Sequence, residues 1–246
     1  MLGLGSNISQ SAYRSFHSNK SLDFVASSNN KVNFGPVNDI GTGDFTISVW
    51  VKRDDDTAQS SILQKRQDGD SNYYLRIDAD ETIYFRANVS RTAKIICQTA
   101  SGAAGFASLW QHIVFVCDRD NASNCKFFVN GVENAVDGTP TLSTDNCDNT
   151  GDFEIGINGS VYFDGHMMEY SMWDVALSDT QVTKLYEEFN VTGKIRPTDL
   201  SALNAEIGKL MCWYRMGSGM LDFNYANAVG RLGLVSDSKS PYLAES

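Results

Sequence analysis

Between Leu22 and Trp173 the chain is a succession of short apolar runs separated by polar, glycine-bearing segments. In the run from Phe45 to Val51, Phe45, Ile47, Val49 and Val51 share one face, with Thr46, Ser48 and Trp50 on the other. That period of two predicts a strand whose first set of side chains enters a core. Trp110 to Cys117 is apolar on both faces apart from Gln111 and His112, the pattern of a central strand covered on both sides. Tyr73 to Ile77 and Thr82 to Arg86 flank Asp78-Ala79-Asp80-Glu81 and predict a hairpin. The next apolar run closes on Asn130-Gly131, a pair suited to a primed two-residue turn because both central residues need positive φ. Asp118 to Asn124, Gly102 to Gly105 and Asp137 to Gly151 are rich in Gly, Ser, Thr, Asn and Asp and predict loops.

The period then changes. Ser178-Asp179-Thr180-Gln181 has capping-box spacing, in which Ser caps the third amide and Gln reaches back. Val182, Leu185, Tyr186 and Phe189 follow at helical spacing, so a helix over 178–190 carries one apolar stripe that must dock on something. Pro197 to Ser201 opens a shorter helical segment, and a last strand is predicted over Leu210 to Met216. Many short strands, regular loops and one late helix predict an all-β fold: a two-sheet antiparallel jelly-roll sandwich with a short helix near the C-terminus. The expected organisation is an N-terminal arm over 1–20, a sandwich over 21–217, and an extension over 218–246 that packs on the sandwich or a neighbour.

Composition narrows the function classes. The 246 residues are 42% hydrophobic, enough for a substantial core. A formal net charge of −10 argues against nucleic-acid binding, which needs clustered Lys and Arg. No apolar stretch approaches the roughly 18 to 20 residues of a membrane-spanning helix, so no membrane insertion is expected. The N-terminus has neither a basic start nor a long apolar stretch, and synthesis without a secretory leader is the expectation. Five cysteines, an odd number at irregular spacing, suit neither a disulfide framework nor a CxxC metal site, although Cys117 and Cys125 bracket one loop and could face each other.

Several segments, in order, resemble the laminin-G-like or concanavalin A-like jelly rolls. They are Ser21 to Phe24, Phe45 to Lys52, Trp110 to Val114, Phe128-Val129-Asn130-Gly131, Ile155-Gly156, Phe163-Asp164-Gly165 and Ala176-Leu177-Ser178. Gly193 to Leu200 and Leu210 to Gly217 resemble the tail of laminin-G-like structural proteins of bacteriophages. This resemblance implies a non-enzymatic virion component, a capsid decoration or tail fibre protein able to bind host-surface saccharide. Its expected setting is the virion, as a homo-oligomer on other virion proteins such as the major capsid protein. The arm residues Leu2, Leu4, Ile8, Tyr13 and Phe16 are the expected attachment anchors. The alternative is a calcium-assisted carbohydrate-binding lectin module of a cell-surface or secreted protein.

The chemistry expected of such a chain is binding. Related glucanases carry Glu-x-Asp-x-x-Glu or a close variant, whereas Glu133, Glu154 and Glu169 stand isolated in sequence. Glu169 matches a recurrent Glu on the closing strand of the resembled family, with a packing and hydrogen-bonding role expected. Tyr73, Tyr74, Tyr84, Tyr162 and Trp173 are candidates for a saccharide platform, since sugar faces stack on aromatic rings. Calcium (Ca2+) is the candidate cofactor, with Asp118, Asp120, Asp145 and Asp152 as candidate ligands. Met168 stands where the resembled family frequently has Asp, and each acidic cluster better suits a solvated turn.

Overall fold

The computed structural model describes residues 20–187 except Phe106, together with Leu200, residues 208–214, and the backbone of 223–224 and 243–245. Residues 1–19 of the expected arm over 1–20, and Phe189, lie outside the described residues. The first half of the chain supplies β1 (Lys20–Phe24), β2 (Val32–Asn33), β3 (Phe45–Arg53), β4 (Ser60–Arg66), β5 (Asn72–Ile77), β6 (Ile83–Val89), β7 (Thr92–Gln98) and β8 (Gln111–Cys117). The second half adds β9 (Lys126–Val129), β10 (Val132–Asn134), β11 (Asp152–Ile155), β12 (Ile157–Asn158), β13 (Val161–Tyr162) and β14 (Gly165–Trp173). Helix α1 (Asp179–Glu187) follows, then β15 (Leu210–Tyr214), β16 (Phe223–Asn224) and β17 (Leu243–Glu245).

Among the described residues one sheet runs β10-β9-β8-β3-β14-β1-β17, with β15 also on β14 and β16 on β15. The other runs β2-β11-β4-β5-β6-β7, and β12 and β13 form a small hairpin of their own. All named pairings are antiparallel, giving the jelly-roll sandwich that the alternation predicts. Phe45, Ile47, Val49 and Val51 are buried between the sheets with Phe85, Phe115, Phe127 and Phe153. Phe85 and Phe115 stack at 4.6 Å between ring centroids.

Asn130 and Gly131 have φ of 54° and 75°, so the expected primed turn joins β9 to β10. A Cβ on Gly131 would lie 2.7 Å from the Tyr186 ring, so glycine meets both a backbone and a packing demand here. Ser178 and Gln181 form the capping box: Gln181 N donates to Ser178 Oγ at 3.4 Å, and Ser178 N donates to Gln181 Oε1 at 2.9 Å. Helix α1 then lays Val182 and Leu185 onto Val114, Val116, Phe128, Trp173 and Trp213. The outer face of the nine-stranded sheet is therefore a second, smaller core. Burying each aliphatic side chain contributes about 1.5–3 kcal/mol. The outer face of the other sheet lies away from that cover.

Candidate functional site

The alternation of β5 sorts its side chains. Tyr73, Leu75 and Ile77 enter the core, while Asn72, Tyr74 and Arg76 face outward and stay partly exposed. On β6, Tyr84, Arg86 and Asn88 are the partly exposed set. Register places Tyr74 opposite Arg86 and Arg76 opposite Tyr84. The result is a tile of four side chains, with two tyrosines on one diagonal and two arginines on the other. The tyrosine rings are near-parallel, 6.0 Å apart at 25°. The Arg76 guanidinium lies over both, 4.6 Å from the Tyr84 centroid and 5.5 Å from that of Tyr74, a cation–π arrangement that fixes the rings. Asp78 neutralises Arg76, with Oδ1 at 2.8 Å from Nε, and also accepts from Gln59 Nε2 at 2.6 Å. Burial raises the Tyr74 phenol, which stays protonated as a donor at neutral pH.

An amide row borders the tile. Arg86 Nε donates to Asn88 Oδ1 at 2.8 Å, Asn88 Nδ2 donates to Asn72 Oδ1 at 2.9 Å, and Asn72 Nδ2 donates to the Gly69 carbonyl at 3.2 Å. On the other side Gln64 donates to Glu154 Oε2 at 2.6 Å and accepts from Gly159 N at 2.9 Å, anchoring the β12–β13 hairpin beside β4. Lys31 pairs with Glu154 at 2.6 Å. Tyr162, in that hairpin and partly exposed, sits opposite Ile157.

Of the five aromatic candidates, the structure brings Tyr74 and Tyr84 together on an open face. Tyr73 and Trp173 require correction. Tyr73 is fully buried, and its hydroxyl donates to the Asn38 carbonyl inside the sandwich. Trp173 is fully buried beneath α1. Neither presents a ring face to a ligand.

The four aspartate candidates do not form one ligand set either. Asp145 pairs with Lys94 at 2.5 Å, and Asp152 accepts from Asn33 at 2.8 Å on the far side of the six-stranded sheet. Asp118 accepts from Asn124 at 2.8 Å, and the adjoining Asp118 carboxyl raises the pKa of Asp120 by hydrogen bonding and like charge. Among the described residues no group of three acidic, His or Cys side chains is placed to hold a metal ion. The loops in question already contain a cation. Arg119, 2% exposed, donates from Nε to the Ser143 carbonyl at 2.7 Å, from Nη1 to Gly41 at 2.6 Å and from Nη2 to Asp145 at 2.6 Å. It gathers backbone oxygens of the kind a hard cation would recruit. The four aspartates thus do not fit one calcium ion as a ligand set.

A family profile described as the concanavalin A-like lectin/glucanases superfamily matches residues 26–183. The chain belongs to this superfamily. Human usherin is similar at 28% identity over 149 residues, which cover 58% of this chain and 3% of usherin, so the chain spans a small part of that relative. A crystal structure of a candidate carbohydrate binding protein from Bacteroides ovatus superposes with a TM-score of 0.54 at 17% identity, over 86% of this chain and 56% of that one. A heptameric SAP-like pentraxin from Limulus polyphemus gives 0.51 at 14% identity, over 74% of this chain and 89% of that one. These likenesses show the shared fold.

In this concanavalin A-like sandwich, Glu169 has the packing and hydrogen-bonding role expected of it: buried on β14, it accepts from Trp213 Nε1 at 2.6 Å. His112 is 1% exposed and bonds through Nε2 to Ser48 Oγ at 2.8 Å. Its ring stacks on Trp50 at 4.8 Å and on Tyr186 at 6.2 Å. Burial lowers the His112 pKa to about 3, so near neutral pH the imidazole stays uncharged and holds the helix-covered face together. Cys117 and Cys125 do face each other, Sγ to Sγ 3.7 Å, as free buried thiols.

Arg76, Arg86, Asn72 and Asn88 escaped the sequence reading. Their signal was the alternation itself: once Tyr73, Leu75 and Ile77 are assigned to the core, their neighbours on β5 must face outward.

Proposed function

We propose that the chain is a saccharide-binding module that acts without turnover, and that the tile of Tyr74 and Tyr84 is its binding surface. The observation that carries this reading is the near-parallel tyrosine pair, held by Arg76 on the sheet face that α1 leaves open. Sugar rings present C–H faces that stack on aromatic rings. Asn72 and Asn88, both partly exposed, border the tile with amides, which offer donors and acceptors together and suit hydroxyl groups. The carboxylate beside the tile, Asp78, is engaged by Arg76 and Gln59, and the remaining polar groups are amides, guanidinium and the tyrosine hydroxyls, so in this reading the surface binds without a cation. The shared fold of the Bacteroides ovatus candidate carbohydrate binding protein supports the reading.

A broad glycan array tests it. The wild-type chain should bind a defined subset, and Tyr74→Ala with Tyr84→Ala should abolish that binding while leaving the melting temperature within a few degrees. A folded double variant that binds like wild type would refute the surface, and a wild-type chain that binds nothing would refute the function.

The setting proposed for this module is a bacteriophage virion, as a capsid decoration or fibre component. The support is the resemblance of Leu210 to Gly217 to phage laminin-G-like proteins, a segment whose described part, Leu210–Tyr214, is a strand integral to the sandwich through its pairing with β14. Imaging of purified particles with the protein located by a tag tests that setting. Particles lacking the chain would leave the lectin-module alternative in its place.

A further inference from the structure

We infer that the ligand of this face carries an anionic group, a carboxylate on a sugar ring, and that Arg86 receives it. The inference rests on the proposal that the tyrosine tile binds saccharide, and it specifies the class of saccharide.

The chain is acidic overall, at −10, and its other buried or tile-bound arginines already have partners. Arg53 pairs with Glu81, Arg76 with Asp78, and Arg119 is held by three backbone carbonyls and the Cys147 sulfur. Of the exposed arginines, Arg91 is paired with Asp70 at 2.6 Å, and Arg66, outside the tile, has no carboxylate within salt-bridge distance among the described residues. Arg86 differs. Among the described residues no carboxylate pairs with it, and its one hydrogen bond runs from Nε to the neutral Asn88 amide. Both terminal nitrogens are left for another group.

Arg86 is also held in place. Asn88 fixes its Nε, Asn72 fixes Asn88, and the Gly69 carbonyl fixes Asn72. A guanidinium restrained at Nε keeps the planar fork of its terminal nitrogens, which matches the two oxygens of a carboxylate. Arg86 is partly buried and directly opposite Tyr74, so a ring stacked on the tyrosines brings its substituents beside that fork. The nearby acids do not compete. Asp78 is engaged by Arg76 and Gln59, and Glu154 by Lys31 and Gln64. A neutral sugar would leave the one unneutralised cation of the tile without a counter-charge; a sugar carboxylate supplies it.

The test is an array of matched glycans on the same backbones: carboxylated, methyl-esterified, sulfated and neutral. The wild-type chain should bind carboxylated members about ten- to hundredfold more tightly than their methyl esters, the range that charge-assisted hydrogen bonds convert to. Raising ionic strength from about 0.05 M to about 0.5 M should weaken that preference. In Arg86→Gln the acid-over-ester preference should vanish, and in Arg86→Lys, which keeps the charge without the fork, it should fall to an intermediate value. Equal binding of acid and ester by wild type, or an undiminished preference in Arg86→Gln, overturns the inference. Binding confined to sulfated members overturns the carboxylate assignment. In each of those outcomes binding that still depends on Tyr74 and Tyr84 leaves the saccharide-module reading standing, whereas an array with no binding removes both.

Discussion

Trp213 donates its indole N–H to Glu169 at 2.6 Å, at the seam where β1 and β15 divide β14 between them. β1 pairs with Gly165 to Met167, and β15 with Tyr170 to Trp173. Glu169 lies between the two sets with φ of 53°, a left-handed conformation that side chains other than glycine adopt at a cost, and the β3 register shifts at the same place. The carboxylate therefore ties the last described long strand to the closing strand at an irregularity. Removing either partner leaves the other buried group without this bond. Glu169→Ala and Trp213→Phe should each destabilise the fold by about 2–4 kcal/mol, and the double variant should cost clearly less than their sum. Urea unfolding of the three variants measures this, and strict additivity would show that the bond contributes nothing of its own.

The docking of α1 gives a second expectation. Leu185 is buried among Val114, Trp173 and Trp213. Leu185→Asp places an unpaired charge there and should cost several kcal/mol, lowering the melting temperature by ten degrees or more, about what such a loss means for a domain of this size. An unchanged melting temperature would show that the helix does not hold the sheet face.

His112 predicts a pH dependence. Its folded pKa lies near 3 because burial disfavours the imidazolium, while the unfolded value is the ordinary 6.5. Below pH 6.5 the unfolded chain takes up a proton that the folded chain refuses, so this contribution is complete above that pH and declines as pH falls toward 3. The slope approaches about 1.4 kcal/mol per pH unit across this window. His112→Gln should lose stability at neutral pH yet show a shallower decline between pH 6 and 4. Parallel stability curves for variant and wild type would rule His112 out as the source.

Arg119 predicts the response to calcium. Because its guanidinium already joins the loops at Gly41, Ser143 and Asp145, adding calcium or a chelator should not move the melting temperature of the wild-type chain. Arg119→Ala strands those carbonyls and should cost about 3 kcal/mol or more. A calcium-dependent rise in the wild-type melting temperature would contradict this account.

Binding without turnover is checked by incubation with a broad panel of polysaccharides. No reducing sugar should be released. Release abolished by changing a single carboxylate would overturn the proposal.

The strands, the Asn130-Gly131 turn and the Ser178 capping box were legible because each depends on residues close in sequence. The parity of Leu75 and Ile77 also separates Tyr73 from Tyr74, although both stood among the platform candidates. The burial of Trp173 was not legible. Its strand neighbours give no sign that Leu177, Val182, Leu200 and Trp213 converge over it, and only the docked helix decides which sheet face stays open. Arg119 was hidden for the same reason: its partners at Gly41, Ser143 and Asp145 come from loops far apart in the chain.

The two sheets also differ in when they can be built during synthesis. β4, β5, β6 and β7 pair in the order in which the ribosome makes them, so the strands bearing the tyrosine tile can close once residue 98 has emerged. β1 has no such neighbour: Phe24 meets Gly165, and although β3 pairs along one edge of β14, β15 must follow before the other edge is complete. The nascent chain thus holds a formed recognition surface on an unfinished body, because loop closure delays the distant pairings. Ribosome-arrested chains of increasing length, probed by protease, should gain protection over β4–β7 first and over β1 and β14 only after Tyr214 is exposed.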